Sequence, residues 1–371
     1  MSRRLLIARP GHIYLATYNP ASPTITIDLD LPIAGNPSWF AVSPTHPNLL
    51  YTFDENAATT FLYGLDLAAN TLTKVAERKG GSEGVCHLGL SKDGSIMIGS
   101  SWASGTMDVW NTKNGALEFI QTIPSKDPVV DAGRVARAHQ AVLDPTGRFF
   151  VINDLGTDSL LVLDSAAADV PIVNRTRVPD GSGPRHGVFY PSGGDSPATH
   201  YMLLCEKSNR VIVFALKYTD KNIEFTTVGS YSTFMPGDSA AERIGGAAAG
   251  EIALSGDGKH VYTSNRLTTS PTETIAHFRV VQGEEGLSLE LVGETSTGGK
   301  HPRMFSISRE GGELFVGNQE GEWAVVVLKR RDDGTLEDEP LAGLRMDEIV
   351  KPGGDERGPM FVLEACIEDK I

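Results

Sequence analysis

Polar and charged side chains recur at two positions of a repeated sequence pattern, where they could bind and activate a small molecule. The first group stands at the start of an apolar stretch and comprises Trp39, His87, His139, Arg185 with His186, Glu251 and Arg303. The second group follows the next apolar stretch and comprises Glu55, Trp102, Asn153 with Asp154, Glu206, Asn265 with Arg266, and Asn318 with Gln319. Histidine exchanges a proton near neutral pH, and arginine binds carboxylate or phosphate oxygens. These residue types therefore suit acid–base chemistry on a small, oxygen-rich or anionic molecule.

The elements that position these side chains form a repeat. An alternating apolar strand is followed by a turn of the type S/D-P-x-G or D-G, and then by a second apolar strand that ends in a polar residue. Six copies begin at Ser38, Cys86, Ala138, Arg185, Gly250 and Arg303. Their equivalent turns are roughly 50 residues apart, which is the range of propeller blades. Because the alternation buries one face and the turn reverses the chain, each copy predicts a β-hairpin.

The two ends of the chain complete the predicted architecture, and helical periodicity is nearly absent. A third strand follows several hairpins, for example at 159–164, 210–217 and 323–330. The N-terminal stretch "HIYLATYN" and the C-terminal stretch "MFVLEACI" can share one blade. The pattern predicts an all-β, seven-bladed β-propeller of four-stranded antiparallel blades, as a single domain over 1–371. Closure of the ring by the N- and C-terminal strands would leave only short, protected sheet edges.

One segment departs from the repeat. Residues 218–250 lengthen the connection into the fifth copy and end in a Gly/Ala run at 245–250. That run is too apolar for a typical solvated linker, so we expect a loop over one mouth of the ring. An ordinary surface insertion is the alternative.

The charge balance and the cysteines limit the partners and the compartment. The chain carries 33 basic and 47 acidic residues, a net charge of −14, which argues against nucleic acid or an anionic membrane as the main partner. Cys86, Cys205 and Cys366 are odd in number and show no CxxC spacing, so we expect neither a disulfide framework nor a zinc site. The apolar run near the N-terminus is too short for a signal peptide, and no stretch reaches the length of a membrane span. We expect a cytoplasmic protein, and the oligomeric state is left open.

The repeat also predicts where the polar residues meet. In a ring of blades, equivalent strand ends recur around a central channel. Buried polar groups cost free energy unless they are paired, so a ring of His, Arg, Glu and Asn indicates a site rather than packing. Adjacent residues of a strand point to opposite faces, which makes Arg185 a stronger candidate for substrate anchoring than His186.

Five stretches carry a family resemblance: "AHQAVLDPTGRF", "GPRHGVFYPSG", "LLCEKSNRVIVF", "SGDGKHVYTSNR" and "HPRMFSISREGGELFVGNQEG". They resemble the seven-bladed propeller lactonases, which include bacterial-type 6-phosphogluconolactonases and the fungal 3-carboxy-cis,cis-muconate lactonizing enzyme. The resemblance runs from about residue 35 to 330. Matched motif by motif, it implies a catalytic group that both branches share: His139, Arg185, Glu206 and Arg266.

Other members of the two recurring groups are expected to bind substrate: His87, His186, Glu251, Arg303 and Asn318. His186 follows the arginine of one "PR" motif, and Arg303 sits in another. This pattern resembles the 6-phosphogluconolactonase branch. An additional arginine suits a phosphate or an extra carboxylate, because guanidinium makes charge-assisted bidentate contacts.

Two reactions could use this set of residues. In lactone hydrolysis His139 would act as the general base and later return the proton, while Arg185 or Arg266 would stabilise the oxyanion. Glu206 would either orient the histidine or pair with an arginine. In muconate cyclisation the arginines would hold the carboxylates, one carboxylate would add to the double bond, and His139 or Glu206 would protonate the adjacent carbon.

The leading interpretation is an enzyme that hydrolyses a sugar lactone such as 6-phosphogluconolactone. The alternative is a 3-carboxy-cis,cis-muconate cycloisomerase of aromatic catabolism. A non-enzymatic interaction scaffold is the third class, but the GH…WD dipeptides that WD-repeat scaffolds show blade by blade are absent. Glu55, Asn153 and Asn209 could imitate the calcium ligands of propeller gluconolactonases. Arginines in the channel would repel a cation, so we expect no metal and no other cofactor.

Overall fold

Seven four-stranded antiparallel sheets make up the fold. The computed structural model describes residues 2–236, 246–283, 286–351, 353 and 357–365. The first three sheets contain, in chain order, β1 (Arg3–Arg9), β2 (His12–Asn19) and β3 (Thr24–Pro32); β4 (Ala41–Val42), β5 (Leu49–Asp54), β6 (Thr59–Asp66) and β7 (Thr71–Lys79); β8 (Val85–Leu90), β9 (Ile96–Ser101), β10 (Thr106–Asn111) and β11 (Glu118–Pro124).

The later sheets follow the same order along the chain. The fourth, fifth and sixth contain β12 (Ala138–Leu143), β13 (Phe149–Asp154), β14 (Ser159–Asp164) and β15 (Ile172–Arg177); β16 (Pro184–Tyr190), β17 (His200–Cys205), β18 (Arg210–Tyr218) and β19 (Ile223–Ser232); β20 (Ala248–Leu254), β21 (His260–Arg266), β22 (Thr274–Gly283) and β23 (Gly286–Ser296). A small sheet pairs β24 (Gly299–Lys300) with β27 (Glu320–Gly321), and the seventh large sheet contains β25 (Met304–Ile307), β26 (Glu313–Gly317), β28 (Trp323–Lys329) and β29 (Ala342–Arg345).

The last strand, β30 (Phe361–Ala365), returns to the first sheet and gives it four strands in the order β3-β2-β1-β30. It runs antiparallel to β1, with Leu363 opposite Leu6. The prediction that the N- and C-terminal strands share a blade is therefore confirmed. So is the fold class, an all-β, seven-bladed propeller.

Helices are short in the described part of the chain. They are a 3₁₀ turn at Lys113–Gly115 and a single α-helical turn, α1 (Met346–Ile349). Among the described residues, none of the helices has the length and apolar character needed to cross a bilayer.

The predicted loop over 218–250 is wrong for residues 223–232 and for the end of the Gly/Ala run, which form strands. Residues 223–232 form β19, the outer strand of the fifth sheet, and the Gly/Ala run enters β20 at Ala248. Phe225 anchors β19 through edge contacts with Phe214 and Tyr201, at ring-centroid distances of 5.8 and 5.9 Å. Aromatic and β-branched residues favour strands, and this preference outweighed the irregular spacing. Residues 237–245 lie outside the described residues.

The chain divides into two compact units. Within the described residues, the first unit covers 2–33, 202–213 and 227–365, and the second covers 34–201 and 214–226. In the second unit a buried apolar cluster joins the third and fourth sheets, with Ile98 and Met107 packed against Phe150, Ile152 and Leu161. This packing positions β8 and β12, which are the first strands of those two sheets in chain order. The single domain over 1–371 stays a prediction.

Candidate active site

Three histidines, Arg185 and Trp39 come together in the second unit, and we call them the histidine cluster. The His186 ring lies 5.0 Å from the His139 ring and 5.7 Å from the His87 ring, measured between centroids. Trp39 covers His87 at 4.2 Å. The three histidines and Arg185 expose only 2–5% of their surface. The structure thus brings together five residues that the repeat had placed at the start of an apolar stretch.

β-Bulges explain how residues of two neighbouring sheets reach this cluster. The pairing of β12 with β13 skips one residue, so that His139 is the extra residue of a bulge. The pairing of β8 with β9 skips Cys86, directly before His87. A bulge breaks the alternation of side chains and turns one of them toward a new direction. The Cys86 thiol also donates to the backbone carbonyl oxygen of His139, with a sulfur–oxygen distance of 3.3 Å, which joins the two bulges.

Arg185 and His186 are both buried, and both act on His87. The His186 ring makes an edge contact with the His87 ring, and the charge of Arg185 contributes to the lowered pKa of His87. The preference for Arg185 over His186 as the substrate anchor stays a prediction. His186 is as buried as Arg185 and contacts two other histidines.

A hydrogen-bond network holds the backbone of β16 in place. The Gln140 Oε1 accepts from the Gly187 N–H at 2.7 Å and from the Asn153 Nδ2 at 2.9 Å. Asn153 also donates to the carbonyl oxygen of Arg185 at 3.4 Å, and its Oδ1 accepts from the Tyr201 hydroxyl at 2.9 Å. A Cβ atom at Gly187 would collide with that hydroxyl. Sequence reasoning missed Gln140 and Tyr201; the only signal was the position of Gln140 directly after His139.

His87 is held in its neutral form. Burial lowers its pKa well below the usual value, and electrostatic interactions with His186 and Arg185 lower it further. Its Nδ1 accepts a hydrogen bond from the backbone N–H of Ala141 at 3.4 Å, which requires an unprotonated nitrogen. A neutral His87 beside His186 offers a hydrogen-bonding group without adding a charge to the cluster.

A second polar group lies in the first unit, and we call it the glutamate–arginine pair: Glu206 and Arg266. The Arg266 Nη2 lies 3.1 Å from the Glu206 Oε2 and donates to the carbonyl oxygen of Ala249 at 3.1 Å. Glu251 is buried, and its backbone N–H donates to the Ser264 hydroxyl at 2.9 Å. Of the two arrangements expected for Glu206, the pairing with an arginine is observed. The assignment of His139, Arg185, Glu206 and Arg266 to one reaction stays a prediction.

Asn318 and Arg303 occupy different settings in the seventh sheet. Asn318 is fully buried, and its side-chain amide donates to the carbonyl oxygens of Thr297 at 2.9 Å and Trp323 at 3.1 Å. Both amide hydrogens therefore tie loops together, a structural role that the repeat did not reveal. Arg303 is half-buried directly before β25. Substrate binding by either residue stays a prediction.

Within the described residues, no group of three or more His, Cys, Asp or Glu side chains lies close enough to hold a metal ion. Of the three residues that could imitate calcium ligands, Asn153 uses its amide within the network around Gln140. Glu55 lies 3.4 Å from the Nδ2 of Asn36. Asn209 donates to the carbonyl oxygen of Ala247 at 3.0 Å.

Several known proteins resemble this chain in sequence or in fold. Residues 6–342 match the profile of the family described as "Lactonase, 7-bladed beta-propeller". A protein of Arthroderma benhamiae named "Probable 6-phosphogluconolactonase" is 32% identical over 240 residues, which is 63% of this chain and 58%, less than two thirds, of that relative. The 6-phosphogluconolactonase of Formosa agariphila is 24% identical over 346 residues, 90% of this chain and 92% of that protein. The periplasmic gluconolactonase of Pseudomonas aeruginosa shares the fold, with a TM-score of 0.81, 20% identity and 99% coverage of both chains.

Proposed function

We propose that this chain, which belongs to the seven-bladed β-propeller lactonase family, hydrolyses a sugar lactone such as 6-phosphogluconolactone. The observation that carries the proposal is the buried contact between His139 and His186, in a cluster that also holds the Arg185 cation. Imidazoles move protons near neutral pH, and a guanidinium stabilises developing negative charge. Two relatives named 6-phosphogluconolactonase support the choice of substrate class.

The reaction would begin with His139. Its imidazole takes a proton from a water molecule, whose oxygen attacks the lactone carbonyl carbon. Arg185 stabilises the oxyanion of the tetrahedral intermediate. The carbon–oxygen bond of the ring then breaks, the protonated imidazole gives its proton to the leaving alkoxide, and the product is the open hydroxy acid.

The neighbouring histidines would support this proton transfer. His186 contacts the ring of His139, and His87 contacts the ring of His186. Because His87 stays neutral, it adds no positive charge that would oppose protonation of His139 during the reaction. We assign His87 and His186 to positioning His139 and to hydrogen bonding with substrate hydroxyl groups.

Glu206 and Arg266 are proposed to act as a pair. Glu206 orients the Arg266 guanidinium, which then holds oxygen atoms of the substrate. Arg266→Lys keeps the charge but loses the planar bidentate geometry, and Glu206→Gln removes the ion pair. Both variants should raise KM, and unchanged kinetics in both would remove these two residues from the reaction.

The test offers the purified protein a phosphorylated and an unphosphorylated sugar δ-lactone, with hydrolysis followed by pH-stat and corrected for the spontaneous rate. We expect turnover in the wild type and its loss in His139→Ala and Arg185→Ala. Turnover that survives in both variants would refute the histidine cluster as the reaction centre. EDTA is expected to leave the rate unchanged.

The cycloisomerase alternative is tested in parallel with 3-carboxymuconate, whose conjugated diene absorbs in the ultraviolet. Loss of that absorbance without lactone hydrolysis would overturn the proposal. The names of the relatives favour hydrolysis. The cytoplasmic location stays a prediction from the sequence.

A further inference from the structure

An arginine and a tryptophan form a stacked pair at the ends of β9 and β12. The Arg137 guanidinium carbon lies 3.8 Å from the centroid of the Trp102 ring. Trp102 is 41% exposed, and Arg137 is half-buried. The Arg137 Nη1 also points to the carbonyl oxygen of Trp102, at 3.5 Å. Stacking holds the guanidinium flat on the indole and leaves its other N–H groups at the protein surface.

The two residues of this pair lie directly outside strands that belong to the histidine cluster. Arg137 precedes β12, which carries His139, and Trp102 follows β9, which pairs with the strand that carries His87. Arg137 lies two residues before His139 in the sequence. Ser100 pairs with His87, and Trp102 lies two residues after Ser100. Two residues of backbone span at most roughly 7 Å, about the length of a small sugar derivative. The backbone of Arg137 is fixed because its N–H donates to the Asp154 Oδ1 at 2.9 Å.

Arg137 differs from other arginines of the described chain in its charge environment. Arg134 lies 3.0 Å from Asp158, and Arg175 lies 3.0 Å from Asp131. Arg345 stacks on a tryptophan as Arg137 does, but its guanidinium lies 3.0 Å from Glu322. Among the described residues, no carboxylate lies within ion-pair distance of the Arg137 guanidinium. An oriented guanidinium whose charge is not neutralised by a carboxylate binds phosphate strongly, because the N–H fork matches two phosphate oxygens.

We propose that Arg137, held on Trp102, binds the phosphate of a phosphorylated sugar lactone while the carbonyl carbon reacts at the histidine cluster. This inference rests on the proposed function, and it names the residue pair that sets the preference for phosphorylated over unphosphorylated lactones. Arg137 touches the substrate but takes no part in the proton transfer. Its loss should therefore weaken binding of the phosphorylated substrate and spare the chemistry.

The experiment measures kcat and KM for 6-phosphogluconolactone and for gluconolactone. Arg137→Ala should raise KM for the phosphorylated lactone roughly 10- to 100-fold, with kcat and the kinetics of gluconolactone nearly unchanged. Arg137→Lys keeps the charge and should show a smaller rise. Trp102→Leu removes the stacking surface and should also raise KM for the phosphorylated substrate alone.

Arg345→Ala is the matched control, because it removes an arginine stacked on a tryptophan whose charge a carboxylate neutralises. It should leave both KM values unchanged. An unchanged KM in Arg137→Ala, with a raised KM in Arg303→Ala, would overturn the assignment in favour of the arginine predicted from the sequence.

Calorimetric titration with 6-phosphogluconate and with gluconate separates this inference from the proposed function. If the wild type hydrolyses neither lactone, the proposed function fails. Tighter binding of 6-phosphogluconate than of gluconate, lost in Arg137→Ala, would still support the phosphate site. Equal binding of 6-phosphogluconate by wild type and Arg137→Ala would overturn it.

Discussion

Two regions of this molecule bury histidines, and they do so in different ways. In the histidine cluster, the His186 ring makes T-shaped contacts with the His87 and His139 rings beside Arg185, and each ring belongs to the start of a different strand. In the first unit, His260 on β21 and His277 on β22 form what we call the outer histidine pair. Their Nδ1 and Nε2 atoms lie 2.9 Å apart, and His277 stacks on Tyr262 with ring centroids 5.0 Å apart.

The difference lies in what surrounds the rings. Gly334 packs directly on the ring of His260, and Arg330 donates to the Tyr262 hydroxyl at 2.7 Å beside His277. The pair thus uses its facing nitrogens for each other. Bulges instead place the members of the histidine cluster against other polar groups. Burial of a histidine is therefore a poor indicator of chemistry, and the setting of its strand is a better one.

The largest expected effect is a loss of lactonase activity, which a substitution in the histidine cluster should cause and one in the outer histidine pair should not. His139→Gln should lower kcat/KM for the lactone roughly 10²- to 10⁴-fold, because the general base is lost. His277→Gln should leave kcat/KM within about two-fold and lower the free energy of unfolding by roughly 1–2 kcal/mol. Steady-state kinetics and urea unfolding of both variants check this. A large loss of activity in His277→Gln would erase the distinction.

One glycine beside each region allows the same comparison to be tested by adding a methyl group. A Cβ at Gly187 would collide with Tyr201, and a Cβ at Gly334 would collide with His260. Each alanine variant should cost roughly 1–3 kcal/mol of stability through overpacking. Gly187→Ala should also lower kcat about ten-fold or more, because it displaces the backbone of Arg185 and His186, and a shift of 1 Å costs that much.

The control for these substitutions is Gly311→Ala. Gly311 has a φ of 76°, close to the 84° of Gly334, but nothing lies within 4 Å of its added Cβ. It should show only the backbone cost, about 1 kcal/mol. If Gly334→Ala is no less stable than Gly311→Ala, as judged by thermal unfolding, the tight contact with His260 does not matter for the fold.

The smallest expected effect is a pH dependence of stability from the outer pair. Burial lowers the pKa of His277 to about 4, with further contributions from His260, Arg330 and Arg279 and an opposing one from Asp333. An unfolded histidine has a pKa of about 6.5, so the unfolded chain binds the proton at higher pH than the folded one. Stability is therefore complete above about pH 6.5 and falls as the pH decreases toward 4.

Urea unfolding at several pH values between 4 and 7.5 measures this effect. Carboxylates also titrate at the lower end, so the informative quantity is the difference between wild type and His277→Gln. That difference should shrink as the pH falls. A difference that stays constant with pH would show that His277 does not titrate as its burial implies.

The fold was largely predictable because its signals are local and repeated. Alternating apolar residues and D-P-x-G turns predict hairpins without knowledge of distant contacts. The sharing of the first sheet by β2 and β30 followed from two unmatched strand patterns at the ends of the chain. The segment 218–250 was misread because its spacing was irregular, although residues 223–232 have the composition of a strand.

The sequence predicted which residues form the candidate site better than it predicted which of them are in contact. The repeat singled out Trp39, His87, His139 and Arg185, which lie in one cluster. It did not indicate that His186 contacts both other histidines. It also proposed Asn318 as a ligand, where the structure shows both amide hydrogens donated to backbone carbonyls.

The sequence by itself determined the strand repeat, the closure of the first sheet and the residue types at the strand ends. These follow from side-chain hydrophobicity and turn chemistry, which act over a few residues. Only the tertiary structure decided which of those side chains meet. That depends on bulges, on the packing of neighbouring sheets and on stacks such as Arg137 on Trp102, all of which join residues far apart in the chain.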